Sequence, residues 1–353
     1  RIIPAAIPAV EGPALGFIHQ AHGDLGILRQ RRLGPFPKLR PGREVFLSGR
    51  VLHGKFQRGG RRGAGRALLR LMRPRQWTKN ALLFAALVFA KRLGDPAAVW
   101  GASVGFVGFC LLSAATYAMN DLLDAERDRA HPKKRHRPIA SGALSPRTAL
   151  AASLLLGAGG LALCASVAPG LLGAGLAYLA ITQFYSMAGK NIPILDILLI
   201  AAGFVVRAVA GALAIDVPSS GWFLACTLFA AIFLALCKRK AELSALEHGA
   251  ADHRPVLASY TAPLLQGLIA SSVAATMMSY ALYVFDVRAR AGRDFHLVEL
   301  TLPCVVYGLF RYVWLVETRG LGGSPEEVLL RDRGVQLAGL LFVVIAVLAL
   351  YVA

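Results

Sequence analysis

The sequence predicts an all-α, polytopic membrane protein, and three observations carry that prediction. Of its 353 residues, 56% are hydrophobic and mean hydropathy is +0.55, above the roughly 45–50% apolar content of ordinary soluble domains. Apolar runs recur along the chain, several of them near the ~20 residues that carry a helix across a hydrocarbon core. The alternating short segments of a membrane barrel are missing from the sequence.

Taken in order, the chain opens with a basic tail over 1–66. Residues 1–70 hold 14 Lys and Arg against Glu11, Asp24 and Glu44. The tail is rich in Gly, Pro and Arg, without a sustained helical period, and reads as disordered and drawn to anionic lipid. It lacks the basic-then-apolar order of a standard signal peptide. The chain begins with Arg, so the tail is expected to be an upstream extension or part of a longer product. A nucleic-acid partner does not fit a chain whose remainder is a membrane domain. The five cysteines lie in or beside apolar segments and form no CxxC, so they read as small buried hydrophobes.

From residue 67 onward the sequence predicts one membrane domain of nine transmembrane helices. An interfacial entry, Arg73-Pro74-Arg75-Gln76-Trp77-Thr78-Lys79-Asn80, places a Trp at headgroup level and a Pro before a helix. Apolar spans follow over 81–93, 99–119, 147–168, 170–188, 193–215, 220–237, 262–285, 296–317 and 334–353. Basic loops set the orientation. With the tail cytoplasmic, the loops holding Arg127 to Arg137, Lys190, Lys238-Arg239-Lys240, and Arg319 with Arg331 and Arg333 are cytoplasmic too. The loop with Arg288, Arg290 and Arg293 dissents. Glycine pairs such as Gly159-Gly160 fit close helix packing, and no phosphate-loop glycine pattern stands in a strand–helix context.

One polar stretch stands where an apolar span ends. In Asn120-Asp121-Leu122-Leu123-Asp124-Ala125-Glu126-Arg127-Asp128 the aspartates are three and four residues apart, on one face of a helix. Three adjacent carboxylates repel unless a cation sits among them, and hard oxygen donors suit Mg²⁺ shared with water and phosphates. The competing reading is a solvated helix end. Acids next to a membrane segment are costly and tend to be functional, which favours the metal.

Four groups should gather at the cytoplasmic mouth: the triad with Asn120, the Arg and Lys loop after it, Tyr185 with Lys190 and Asp196, and Lys238-Arg239-Lys240 with Glu242. Acids for Mg²⁺ and cations for phosphate oxygens suit a polyanionic substrate. Asp196 and Arg207 are eleven residues apart in one span, nearly on one face, and are expected to line a polar cavity. Tyr178 and Tyr185 read as belt aromatics, with Tyr185 close to the site. His131, His136, His248 and His253 read as solvated loop histidines.

The motif Asn120-Asp121-x-x-Asp124-x-x-x-Asp128, followed by a basic loop on nine apolar spans, resembles the UbiA superfamily of intramembrane prenyltransferases over residues 67–353. The resemblance implies a helical bundle around a central cavity, with two polar motifs on cytoplasmic loops. The second motif, a further DxxxD in that superfamily, is absent. In its place stands Lys238-Arg239-Lys240-Ala241-Glu242-Leu243, and Glu247 and Asp252 do not restore it. Arg73 to Asn80, Tyr185-x4-Lys190-x5-Asp196 and the Lys-Arg-Lys-Ala-Glu loop are similar to the decaprenyl-phosphate phosphoribosyltransferase branch.

That resemblance implies a bacterial cytoplasmic-membrane enzyme with its site facing the cytoplasm. Its donor is phosphoribosyl pyrophosphate, its acceptor a polyprenyl phosphate, and its product feeds arabinofuranose donors for cell-wall polysaccharide. Asp121, Asp124 and Asp128 would hold Mg²⁺ on the pyrophosphate, with Lys190 beside them in catalysis. Lys79, Lys190, Arg207 and Lys238 to Lys240 are candidates for steering the acceptor, Arg73 and Arg137 for the donor's 5-phosphate, and Asp196 for orienting Lys190 or a ribose hydroxyl. Asn80, Asn120, Tyr185 and Glu242 complete the expected substrate site. The nucleophile is already an anion, which agrees with finding no Ser/His/Asp or Cys/His set. A homo-oligomer is compatible with the sequence. Transfer from a prenyl diphosphate to an aromatic or haem acceptor, and a transporter using the acids for ion coupling, remain open.

Overall fold

The computed structural model describes residues 61–130, 134–247, 255–291, 297–323, 325, 328 and 331–352. Expectations on residues 1–60, and on His131, Lys133, His248, Asp252, His253, Arg254 and Arg293, lie outside the described residues. Every regular element described is helical. A short helix α1 (Arg61–Met72) begins inside the stretch assigned to the tail. A 3₁₀ segment (Pro74–Leu82) runs into α2 (Leu83–Phe89). The long α3 (Pro96–Leu123) is followed at once by α4 (Ala125–Ala130). Then come α5 (Pro146–Val167), α6 (Pro169–Met187), α7 (Leu195–Ala214), α8 (Gly221–Glu247), α9 (Ala262–Ala291), α10 (Thr301–Arg319) and a last helix, Arg333–Val347.

Local chemistry fixes where these helices start. Asp95 caps α3 by accepting from Ala97 N at 2.9 Å, ahead of Pro96 in the first turn. Ser145 caps α5 on Thr148 N at 3.0 Å, again ahead of a proline. Asp332 caps the last helix on Val335 N at 3.0 Å. Gly320, at φ 65, ends α10 in the left-handed region that favours glycine.

Seven helices among the described residues are long and apolar enough to cross a membrane, so the predicted count of nine is not confirmed. The span predicted over 81–93 is not a long helix. Pro74 opens a 3₁₀ stretch, α2 is seven residues long, and the chain turns at Lys91 with φ 57. The span predicted over 170–188 is the 19-residue α6, whose last turns carry Thr182, Gln183, Tyr185 and Ser186.

Helix α7 serves two cores. Ala210 and Ala214 pack with Leu83, Phe109, Leu112, Leu171 and Tyr178 of one half. Ile197, near its start, packs with Phe233, Leu236, Leu265, Ile269 and Leu315 of the other. Backbones come very close on the first side: a Cβ on Gly211 would stand 2.2 Å from the Leu83 carbonyl oxygen. The Gly159-Gly160 expectation is met as well, since a Cβ on Gly160 would stand 2.8 Å from the Gly108 oxygen.

Candidate active site

The aspartates sit where α3 gives way to α4. Asp121 lies in the last turn of α3, Asp124 is its C-cap with φ −93 and ψ 4, and Asp128 lies in α4. The backbone hydrogen bonds run on through Asp124, with Asp124 N donating to Asn120 O and Asp128 N to Asp124 O, both at 2.9 Å. Asp121 and Asp128, both buried, turn together toward Arg137, whose Nη1 stands 3.2 Å from Asp121 Oδ1 and 2.7 Å from Asp128 Oδ2. Arg73 Nη2 adds a contact of 2.5 Å to Asp121 Oδ1, and its guanidinium lies over the Tyr117 ring. Asp124 turns elsewhere, to Lys190 Nζ at 3.3 Å. Arg73 itself has φ 50. Its strained backbone at the α1 end aims it at the triad.

A second polar cluster lies where α7 starts. Asp196 and Arg239 are both fully buried, Nε to Oδ2 at 2.6 Å. Arg239 also binds Glu242 Oε2 at 2.6 Å and donates to the Tyr185 hydroxyl at 3.3 Å. The other oxygen of Asp196 accepts from the Tyr260 hydroxyl at 2.7 Å. Burial, followed by that hydrogen bond, pushes the Tyr260 hydroxyl up to about 12.

A third cluster lies deeper. Arg207 is buried, and among the described residues no carboxylate pairs with it. Its guanidinium donates to Asn80 Oδ1 at 2.7 Å, Gly203 O at 2.8 Å and the Tyr178 hydroxyl at 2.9 Å. It also stacks over the Tyr178 and Phe204 rings. Ser113 joins Tyr178 at 3.1 Å. Ser113 is eight residues before Asp121 on α3, about 12 Å farther along the axis.

The structure therefore brings Arg73, Arg137 and Lys190 to the triad, and Tyr185 and Glu242 to Arg239. It separates Asp196 from Arg207, which do not share a polar lining. Asp196 faces α8 and the start of α9, Arg207 faces α6 and the 3₁₀ segment, because α7 stands between two cores. Asn80 belongs with Arg207. Lys240 turns away to Glu317 on α10 at 2.5 Å, while Lys79 and Lys238 are half-buried. Tyr178 is not a belt residue: it is buried and bonded within the third cluster. Ser113, Tyr260 and Glu317 were not singled out by sequence. They carry no motif, and only three-dimensional packing puts them beside the charged residues.

Among the described residues no three His, Cys, Asp or Glu converge as a metal-binding group. The donors nevertheless suit a hard divalent cation that brings its own water and phosphate ligands. Asp121 and Asp128 already converge on one positive group, and Oδ1 of Asn120, the residue before Asp121, is buried without a hydrogen-bond partner.

Residues 81–322 match the UbiA prenyltransferase family. The chain belongs to the UbiA prenyltransferase family. It is thus an integral membrane protein of that family, and its all-helical fold agrees. Among its relatives is the decaprenyl-phosphate phosphoribosyltransferase of Corynebacterium glutamicum, 34% identical over 289 residues, 81% of this chain and 87% of that protein. The protein of the same name from Mycolicibacterium smegmatis is 36% identical over 282 residues, 76% of this chain and 88% of that protein. A UbiA homologue from Archaeoglobus fulgidus, solved with GPP and Mg²⁺, shares the fold at a TM-score of 0.63 and 20% identity, covering 80% of this chain and 99% of that one.

Proposed function

We propose that this UbiA-family protein transfers the 5-phosphoribosyl group of phosphoribosyl pyrophosphate to a polyprenyl phosphate, in the manner its relatives' name describes. One observation favours this over transfer from a prenyl diphosphate. Glu242, the acid in the loop that replaces the second metal motif, is taken up together with Asp196 by the buried Arg239. Among the described residues one carboxylate set therefore stands ready for one pyrophosphate, with guanidinium and ammonium groups around it.

The residues divide the work by charge. Asp121, Asp128 and Asn120 are the candidates to hold Mg²⁺, with Asp124 next to them. Bound there, Mg²⁺ would neutralise charge on the pyrophosphate as it leaves. Arg73 and Arg137 now rest on the carboxylates. When substrate binds, they can re-pair with phosphate oxygens, for which the guanidinium fork is suited. Lys190 stands at Asp124 and meets the leaving group from the other side. In the reaction the bond from ribose C1 to the pyrophosphate oxygen breaks, and C1 bonds to an oxygen of the lipid phosphate. That oxygen is already anionic, so no general base is required. Preorganised cations around the departing charge supply the electrostatic stabilisation. Arg207 with Asn80 and Tyr178 forms a deeper cationic wall on the acceptor side.

The bacterial relatives favour a bacterial cytoplasmic membrane, and the basic loops favour a site on its cytoplasmic side. The product would serve as a precursor of arabinofuranose donors for cell-wall polysaccharide. The test incubates purified protein with labelled phosphoribosyl pyrophosphate, decaprenyl phosphate and Mg²⁺. A labelled lipid is expected, with none in the presence of a chelator. Product from a prenyl diphosphate and an aromatic acid, without the labelled lipid, would replace this reading with prenyl transfer.

A further inference from the structure

The turn that carries Lys190 to the triad is held by a residue outside every polar motif. Lys190 sits in a 3₁₀ turn, Gly189–Asn191, between α6 and α7. The turn folds back tightly, since a Cβ on Gly189 would stand 2.2 Å from Leu199 Cδ1 of α7. Three residues beyond it, Ile194 has φ 68 and ψ −46. A β-branched residue pays for that conformation in backbone strain. Leu195 N donates to Pro193 O at 2.8 Å, which makes Ile194 the centre of a γ-turn, a strained form with positive φ.

One side chain meets this strain. The Tyr260 hydroxyl accepts from Ile194 N at 2.7 Å and donates to Asp196 Oδ1 at 2.7 Å. Tyr260 is 4% exposed, and it comes from the segment just ahead of α9, 66 residues away in sequence. Its ring packs in the α7–α8–α9 core. A single oxygen thus bridges the strained amide and the buried carboxylate that holds Arg239. Without it, the buried Asp196 carboxylate loses a partner, the part-buried Ile194 amide loses the bond that pins it, and the turn is free to relax.

We propose that Tyr260 is a positioning residue: its hydroxyl holds the 189–196 turn so that Lys190 meets Asp124. This rests on the proposed reaction only where turnover is read. Tyr260→Phe keeps the ring and removes the hydroxyl. Two measurements test it. In the first, the rate of amine acylation at Lys190 is followed by mass spectrometry on substrate-free protein in detergent, with Lys91 as internal reference. Lys190 is expected to react several-fold faster in Tyr260→Phe, with the Lys91 rate unchanged. An unchanged Lys190 rate overturns the proposal. In the second, kcat/KM for phosphoribosyl transfer is measured in a cycle of Tyr260→Phe and Lys190→Ala. Tyr260→Phe should lower kcat/KM about tenfold, the scale of one hydrogen bond to a charged group, and should have little further effect once Lys190 is gone. Equal losses in both backgrounds would mean general destabilisation and overturn it. If the parent protein makes no labelled lipid, the reaction assignment fails, and the acylation rate still decides the role of Tyr260.

Discussion

Arg137 occupies the place between Asp128 and Asp121 that a divalent cation would need, with Nη1 2.7 Å from Asp128 Oδ2 and 3.2 Å from Asp121 Oδ1. A guanidinium and a metal ion compete for the same oxygens. Arg137→Gln is therefore expected to lower the Mg²⁺ concentration at half-maximal rate, while reducing the maximal rate because a phosphate-binding fork is lost. Initial rates across a Mg²⁺ titration measure both. A half-maximal concentration that stays put or rises would show that Arg137 and metal do not share the site.

Asp121→Asn and Asp128→Asn remove that charge without removing volume. Each should lower kcat by about a hundredfold or more, the scale of losing one preorganised charge-stabilising group. The thermal midpoint in detergent should change little, because the partners Arg73 and Arg137 remain partly solvated. A turnover near that of the parent in either variant would reduce the aspartates to a helix end.

Among the described residues Arg207 is held by three acceptors and two rings rather than by a counter-ion. Lysine cannot reproduce this, since an ammonium has neither the planar fork nor the stacking face. Arg207→Lys should lose the bonds that tie α7 to Asn80 and Tyr178, about 1–3 kcal/mol. At roughly 1–2 °C per kcal/mol, scaling the entropy of unfolding per residue to a chain of this size, the midpoint should fall by about 1–4 °C. The measurement is a thermal scan of detergent-solubilised protein. A midpoint equal to that of the parent would mark the cluster as slack.

Composition and hydropathy revealed the membrane bundle, because burial of long apolar helices in lipid needs no tertiary detail. The motif residues around Asp121, Asp124, Lys190 and Arg239 were legible for a related reason: a charge beside or inside an apolar run is costly and stands out. Pairing was not legible. Nothing in the spacing shows that Asp124 turns to Lys190 while Asp121 and Asp128 share Arg137, or that α7 directs Asp196 and Arg207 to different cores. Tyr178 and Tyr260 were hidden because a tyrosine in an apolar context reads as packing, and only its hydroxyl's partners reveal otherwise. The broken first span was missed because 81–90 is uniformly apolar, whereas the 3₁₀ path is set by Pro74 and by Asn80 turning inward to Arg207.

Asp332 offers a test by pH. Its carboxylate caps the last helix and pairs with Arg311 Nη2 at 3.0 Å. The hydrogen bond from Arg311 holds it below the usual carboxylate range. A carboxyl depressed in the folded state stabilises the fold above its ordinary pKa of about 4. That contribution is lost as pH falls through the lower folded value. Asp332→Asn keeps a capping oxygen and removes the charge. The midpoint of the variant should lie below that of the parent near pH 7, and the gap should close as pH drops below about 4. A gap independent of pH would mean that the charge of Asp332 does not set the difference.

Gly211 tests whether close helix packing positions the deep cation. It lies one turn after Arg207, and its missing Cβ leaves room for the Leu83 carbonyl at 2.2 Å. The neighbour is backbone, so it cannot swing aside as a side chain would. Gly211→Ala must push α7 away from α2, at a cost of about 1–3 kcal/mol or more for overpacking. The same displacement moves Arg207 relative to Asn80, which precedes α2 by only a few residues. Activity should therefore fall although every charged residue is intact. Gly339→Ala is the control, since a Cβ there meets nothing within 4 Å and alanine favours the helix. Thermal midpoints and turnover of the two variants are compared in the same detergent. Gly211→Ala should lose both, and Gly339→Ala should keep both. Equal behaviour of the two would mean that α7 has freedom to shift, and that the Arg207 cluster is not fixed by the contact with Leu83.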